Sequence, residues 1–388
     1  MEIKSLDIFC EIIDNFGDIG VVYRLAKEFK SIYNEEVNIR VFLNRLDEFL
    51  SLNKRAKNIG YQKIDGIEYI TNEYLAKNIC TFSPANVIIE AFGCNVLEGY
   101  LEKAKDDSAL LINLEYLSGE SWIDEVHLME SPIGAKKLKK YFFMPGFKES
   151  TGGVIVDKLF LDRKIKVQNN PQIYYKKYLP DLIDKDYFIG TIFSYEKNFL
   201  PLLNVLLKNE KNNCLLVLGE KSQESMRVIL KEFNFAEVSN GNFDFENIKI
   251  KFMPFLEQEE YEELINLVHY NFVRGEDSFV RALLTGKPFM WHIYLQDEMA
   301  HMDKIDGFIE RYREVLEELK LETPLNVHTK LLRDYNLRDN NSLELGKEDF
   351  EEFFKEFDNV SKLTHVYSEY IELKCNLIDK LNRFILKY

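Results

Sequence analysis

The sequence predicts an α/β fold built from two Rossmann-like domains, and three observations predict it. Apolar strand-like runs alternate with helical patterns from residue 5 onward, the alternation starts afresh near residue 187, and 388 residues suffice for two cores of ordinary size. Nearly half of the residues are hydrophobic and 30% are charged, which is globular composition without extended disorder.

The first strand is expected over residues 5–13, where Leu6, Ile8, Phe9, Cys10, Ile12 and Ile13 are apolar on both faces, as in a buried parallel sheet. Residues 14–20 then form a glycine-containing loop, and 21–29 have helical spacing. Strands follow at 37–43, 85–92, 109–115 and 140–146, with helices at 46–51 and 96–104 and a turn at Thr151-Gly152-Gly153. Residues 166–186 are basic, proline-containing and tyrosine-rich and read as a linker. Beyond them, strands at 187–193, 214–218, 248–253, 270–273 and 289–294 alternate with helices at 199–207, 223–233, 258–268 and 278–284; from 297 on the pattern is helical only. The expected layout is a first Rossmann-like domain over 1–165, a linker over 166–186 and a second Rossmann-like domain over 187–359. A last helix within 360–388 completes the first domain. Two such domains facing one another across an interdomain cleft make the GT-B glycosyltransferase architecture. No repeat of 20–50 residues is apparent.

No apolar run approaches the roughly 20 residues needed to span a bilayer, and the first residues lack the basic and apolar regions of a signal peptide. The expectation is a soluble cytoplasmic protein with no membrane partner. The five cysteines are scattered and read as buried free thiols. No CxxC or HExxH occurs and the six histidines are dispersed, so no metal is expected. A net charge of −15 argues against nucleic acid as a partner and is compatible with a basic protein surface.

Two constellations carry chemistry. In Asp14-Asn15-Phe16-Gly17-Asp18-Ile19-Gly20, two carboxylates and two glycines follow a strand and precede a helix, where ligands collect in open α/β sheets. Asp18 sits nearer the helix start, where a carboxylate stays ionised and can act as a base. The alternative is a plain turn in which the Asx side chains bond to their own backbone. In the second half, Phe272-Val273-Arg274-Gly275-Glu276-Asp277-Ser278 ends a strand, turns at Gly275 and opens a helix that Ser278 can cap. Arg274 with free amides makes a diphosphate site, Glu276 and Asp277 suiting ribose hydroxyls or the orientation of Arg274; the alternative is a capped helix with acidic residues favoured by its dipole. Phe193, Tyr195, Phe255 and Gln258 lie at strand ends of the same half and suit a planar base and a phosphate, or simply a core. Trp291, His292 and His301 read as core or surface.

Taken together, Asp7-Ile8-Phe9-Cys10, residues 14–20 with Arg24-Leu25-Ala26, Asn113-Leu114-Glu115-Tyr116-Leu117-Ser118, Tyr141-Phe142-Phe143-Met144-Pro145-Gly146-Phe147, Thr151-Gly152-Gly153, residues 271–282 and Trp291-His292-Ile293-Tyr294-Leu295-Gln296-Asp297 resemble the EarP family. These are bacterial protein-arginine rhamnosyltransferases that modify elongation factor P. The resemblance spans residues 5–310 and implies a metal-independent, cofactor-free, inverting GT-B enzyme. Such an enzyme transfers L-rhamnose from dTDP-β-L-rhamnose to a guanidinium nitrogen of elongation factor P. It implies Asp18 as general base, Asp14 as an orienting carboxylate, and Asn15, Phe16 and Gly17 as substrate-binding. It also implies Phe193, Phe255 and Gln258 as a thymine pocket, Tyr195, Arg274, Asp277 and Ser278 at the diphosphate and sugar, and Glu276 on the ribose.

This assignment makes chemical sense. A guanidinium titrates above about 12, so Asp18 cannot deprotonate it in the ground state and must take the proton as attack proceeds. The remaining alternatives are a nucleotide-sugar transferase with another acceptor, or a nucleotide-sugar-binding protein without catalysis.

Overall fold

The computed structural model describes residues 3–13, 15–135, 137–232, 235–239, 241–337 and 347–388. They fall into two compact units, Met1–Lys158 with Leu373–Tyr388, and Leu159–Glu372.

The first unit runs β1 (Ser5–Cys10), α1 (Asn15–Tyr33), β2 (Asn38–Leu43), α2 (Asp47–Leu52), β3 (Tyr61–Ile64), β4 (Ile67–Thr71), α3 (Asn72–Lys77), β5 (Val87–Ala91), α4 (Glu98–Asp107), β6 (Leu110–Leu114), α5 (Trp122–Val126), β7 (Glu130–Ser131) and β8 (Lys139–Phe143). Its sheet has the order β3-β4-β2-β1-β5-β6-β8-β7, parallel from β4 to β8 with antiparallel edges. The chain passes from β1 to β2 on one side and later places β5 on the other, so the carboxyl end of β1 is a topological switch point. Ile19, Val22, Ala26 and Phe29 recur at helical spacing on α1 and are buried in one core with Ile8, Ile89 and Ile112. Phe9, Ile88 and Leu111 point to the other face, where they pack with Tyr100 and Ala104 of α4.

That apolar stripe, with Asp18 favourably placed in the first helical turn, carries α1 back to Asn15. The segment expected as a tight turn is therefore helical from Asn15, and neither Gly17 nor Gly20 is among the described glycines with positive φ. The hairpin β3–β4 was not expected from the sequence.

The second unit opens with α6 (Lys158–Asn169) and α7 (Pro171–Tyr178). It runs β9 (Phe188–Ile192), α8 (Leu200–Lys208), β10 (Asn213–Val217), α9 (Glu220–Glu232), β11 (Ala236–Ser239), β12 (Asn242–Phe245), β13 (Ile248–Phe252), α10 (Gln258–Leu267), β14 (Tyr270–Arg274), α11 (Glu276–Leu284), β15 (Phe289–His292), α12 (His301–Leu316), α13 (Glu322–Asn336), α14 (Lys347–Lys355) and α15 (Phe357–Lys374). The sheet order is β11-β12-β13-β10-β9-β14-β15, parallel from β13 to β15, with its switch point at β9 between β10 and β14. Residues 166–186, expected as a linker, are largely helical. Val167, Leu179 and Leu182 are buried in one core with Ile189, Cys214 and Leu264, and Tyr174, Tyr175 and Tyr178 pack against it. The tyrosine-rich composition is thus a packing face.

The expected single helix at the C-terminus is two helices, α15 and α16 (Leu377–Leu386), broken at Cys375-Asn376. The Asn376 carboxamide accepts from the Ile378 and Asp379 N–H groups and caps α16. Val154 bonds through its N–H to Cys375 O and through its carbonyl to Leu377 N, at 2.8 Å each, and Leu377, Ile378, Leu381 and Ile385 enter the core of the first unit. Gly153 has φ +80°, and a Cβ there would lie 2.2 Å from Cys375 O. Of the five free cysteines four are buried, while Cys80, in a one-turn helix outside the sheet, is exposed. Among the described residues no helix is long and apolar enough to cross a membrane.

Candidate active site

In the first unit the site is built at the end of β1. The chain leaves the strand through Ile12, whose N–H donates to Asn44 Oδ1 at 2.9 Å, just past β2. Asp18 lies in the first turn of α1 and is 2% exposed. Its Oδ2 accepts from the Ile13 N–H at 2.8 Å and its Oδ1 from the Tyr116 hydroxyl at 3.1 Å, so both oxygens are held. Burial and then the negative charge of Asp18 push the Cys10 thiol far above its ordinary range, which leaves this thiol protonated. Asp14 lies outside the described residues, as do the side chains of Asn15 and Phe16; Gly17 is half-buried in α1.

In the second unit the site is built around the switch point at β9. Phe193 and Tyr195 follow β9, and Arg274 ends the neighbouring β14. The Arg274 guanidinium lies over both rings, 4.7 Å from the centroid of Phe193 and 4.9 Å from that of Tyr195. Among the described residues no carboxylate forms an ion pair with it. Phe193 meets Tyr261 of α10 edge-on, one turn after Gln258, which is the first residue of that helix. Phe255, in the loop before α10, is 68% exposed.

The start of α11 differs from expectation at its cap. Gly275, with φ 65° and ψ −178°, is the N-cap, so Ser278 is the third residue of the helix and does not cap it. The conformation needs glycine, and the Trp291 indole N–H fixes the turn by donating to Gly275 O at 2.9 Å. Each acidic residue at this helix start has a cationic neighbour. Lys304 Nζ is 3.4 Å from Glu276 and Arg281 Nε is 3.9 Å from Asp277, so an anion is less strongly repelled there.

Trp291, His292 and His301 are core residues. His292 Nδ1 pairs with Ser194 Oγ at 2.7 Å, and Ser194 Oγ also meets Tyr335 Oη at 3.1 Å. Burial, and after it the charges of Lys197 and Arg274, hold the imidazole well below its ordinary range, so it is neutral near pH 7.

Three further residues shape the sites without having been assigned a role from the sequence. Tyr116 is one, and Phe92, stacked on it at 4.5 Å, is another. The third is Gly219, at φ +75°, where a Cβ would come within 2.8 Å of the Phe193 ring. Tyr116 was legible as a strand-end residue, following β6; the other two depend on positive φ, which sequence spacing does not reveal. Among the described residues no cluster of three or more His, Cys, Asp or Glu side chains could hold a metal ion.

Comparison with known proteins adds the context. The chain matches the family described as "Elongation-Factor P (EF-P) rhamnosyltransferase EarP" over residues 6–386. It is 32% identical over 315 residues to a protein-arginine rhamnosyltransferase of Pseudomonas aeruginosa, covering 79% of this chain and 81% of the relative. With the protein-arginine rhamnosyltransferase of Shewanella oneidensis the identity is 34% over 323 residues, covering 79% and 80%. A solved structure described as the structural basis for EarP-mediated arginine glycosylation of translation elongation factor EF-P has a TM-score of 0.64 over 99% of both chains, at 18% identity. A UDP-GlcNAc 2-epimerase from Neisseria meningitidis, bound to UDP-GlcNAc, gives 0.54 over 99% of this chain and 100% of the other, at 11%. These structural likenesses show the fold, which is GT-B.

Proposed function

The chain belongs to the EarP family and is a protein-arginine rhamnosyltransferase, and on that premise we propose that it transfers L-rhamnose from dTDP-β-L-rhamnose to one arginine of elongation factor P, with inversion. The observation that carries this reading is the buried Asp18 carboxylate, held by a backbone N–H and a tyrosine hydroxyl at the switch point of the first sheet.

In the proposed reaction Asp18 grips the planar guanidinium through charge-assisted bonds and turns one nitrogen toward the anomeric carbon. Asp14 helps to orient the same group, with Asn15, Phe16 and Gly17 lining the acceptor. The nitrogen forms its bond to the anomeric carbon as the bond to the diphosphate oxygen breaks, that electron pair leaving with dTDP. The nitrogen becomes acidic as its lone pair is drawn into the new bond, and its proton passes to Asp18.

Arg274 and the amides at the start of α11 stabilise the charge growing on the departing diphosphate, with Tyr195, Asp277 and Ser278 around the sugar and phosphates and Glu276 on the ribose. Phe193, Phe255 and Gln258 take the thymine. The chemistry draws on no metal or cofactor, because a nucleoside diphosphate is already a good leaving group. The cytoplasmic location expected from the sequence belongs to this same proposal.

The test is Asp18→Asn. The acid and the amide are nearly the same size, so donor affinity by calorimetry should stay within about two-fold of wild type, while transfer should fall by about 10³-fold or more. Mass spectrometry of elongation factor P reads the outcome, and deoxyhexose addition at a near-normal rate would remove Asp18 as the base. A wild-type protein that leaves the arginine unmodified with dTDP-rhamnose, but modifies it with a UDP- or GDP-sugar, would overturn the donor.

A further inference from the structure

We propose that Tyr116 is a positioning residue for the transfer, holding the Asp18 carboxylate in its working orientation, and that Phe92 holds Tyr116. This rests on the reading of Asp18 as the base.

A carboxylate in the first turn of a helix turns about its last side-chain bond unless each oxygen has a fixed donor. In this protein Oδ2 has the Ile13 N–H and Oδ1 has the Tyr116 hydroxyl, at 2.8 and 3.1 Å. With one donor on each oxygen, rotation of the carboxylate about its last side-chain bond breaks both contacts, so the pair fixes its plane.

The donor on Oδ1 is itself fixed from three directions. Tyr116 lies two residues past β6, in a segment pinned to the last residue of β8 by Glu115 N–H to Phe143 O at 3.1 Å and to the chain beyond it by Ser118 N–H to Pro145 O at 3.2 Å. Its ring stacks on Phe92, with centroids 4.5 Å apart and planes 18° from parallel. Phe92 in turn is tied to the end of β6 by its N–H, which donates to Leu114 O at 2.7 Å.

Phe92 adopts φ +60°, a left-handed conformation unfavourable for any residue but glycine, and Gly93 follows it at φ +63°. An aromatic residue kept in that conformation, with its ring under Tyr116 and packed against the core that contains α1, marks a position where the surroundings enforce the geometry. The chain of contact runs from the end of β5 through Phe92 and Tyr116 to Asp18. Phe92 and Tyr116 follow the carboxyl ends of β5 and β6, and Asp18 lies in the first turn of the helix that follows β1, which runs between them and β2 in the same sheet.

The experiment compares Tyr116→Phe and Phe92→Leu with wild type in steady-state transfer to elongation factor P, with donor affinity and thermal stability measured alongside. Tyr116→Phe keeps the stacked ring and removes only the hydroxyl. It should lower kcat about ten-fold or more while KM for the donor and the melting temperature stay near wild type, since the lost bond is one to a charged acceptor. Phe92→Leu keeps the hydroxyl but loosens its support, and kcat should fall in the same direction by a smaller factor. Unchanged kcat in Tyr116→Phe overturns the inference. So does a loss matched by a lower melting temperature and weaker donor binding, because that describes a general structural role. If instead Asp18→Asn retains near-normal transfer, the reading of Asp18 as base fails and the role of Tyr116 falls with it, an outcome distinct from a normal Tyr116→Phe beside an inactive Asp18→Asn.

Discussion

In the first unit the carboxylate proposed as the base, Asp18, is 2% exposed and both of its oxygens accept hydrogen bonds from the protein itself. In the second unit the cation proposed to meet the diphosphate, Arg274, lies on two aromatic faces and no described carboxylate pairs with it, while Phe255 is 68% exposed. The contrast fits the roles proposed for the two groups. A base needs one fixed orientation throughout the reaction, and internal donors supply it. A nucleotide-sugar site must accept and release an anion in every cycle, so its cation is oriented by ring faces that do not neutralise it.

The two units also differ in how they are completed, and this difference gives the largest expected effect. The core of the first unit includes α16, delivered from the far end of the chain and fastened by the backbone pairing of Val154 with Cys375 and Leu377. Gly153→Ala puts a Cβ into the Cys375 carbonyl at a backbone φ of +80°. It should cost on the order of 3 kcal/mol of stability. In a thermal unfolding scan the first unit should melt several degrees earlier while the transition of the second unit stays in place. Transfer should fail at the temperature where the first unit is lost, with donor binding surviving. A single unshifted transition would break the contrast in completion.

The next effect is on the donor. Arg274→Ala should weaken donor binding by about 10- to 100-fold, the worth of a charge-assisted contact, with little change in melting temperature because no described carboxylate forms an ion pair with the guanidinium. Arg274→Lys should recover little of it, since a compact ammonium cannot spread flat over Phe193 and Tyr195 as a guanidinium does. Calorimetry with dTDP-rhamnose checks both variants. Full recovery by lysine would mean that charge alone matters and that the ring faces do not orient it.

Legibility divides along similar lines. The parallel strands of both sheets other than β4 were readable because their apolar runs are continuous, and the Arg274 turn was readable because a strand, a glycine and an acidic helix start occur in order. Asp18 stood out as a carboxylate at a strand-to-helix junction. Its surroundings were misread, since glycines at 17 and 20 signal a turn locally while the buried stripe from Ile19 to Phe29 carries the helix through them. The β3–β4 hairpin has a local signal in Asp65-Gly66, both at positive φ, but its strands are too short and too polar to stand out as apolar runs. Residues 166–186 were misread on composition, because tyrosines facing a core and tyrosines in a linker look alike in one dimension. What no periodicity carries is a residue acting across strands: Tyr116 reaches Asp18 over a separation of 98 positions, and Phe92 supports it through a φ that only the fold enforces.

The smallest expected effect falls on Phe255, and it tests the open character of the second site most directly. A ring that is 68% exposed has little burial to lose, so Phe255→Ala should leave the melting temperature within about a degree of wild type. If the exposed ring is a platform for thymine, the same variant should weaken donor binding by several-fold, the worth of roughly 1 kcal/mol of base stacking. The loss should shrink for L-rhamnose 1-phosphate, which has no base to stack. Equal affinity of wild type and variant for dTDP-rhamnose would remove Phe255 from the thymine pocket and leave Phe193 and Gln258 to form it. A several-fold loss confined to the nucleotide ligand would show that the second unit keeps apolar surface in water for its substrate, as the first unit keeps its carboxylate bonded for its reaction.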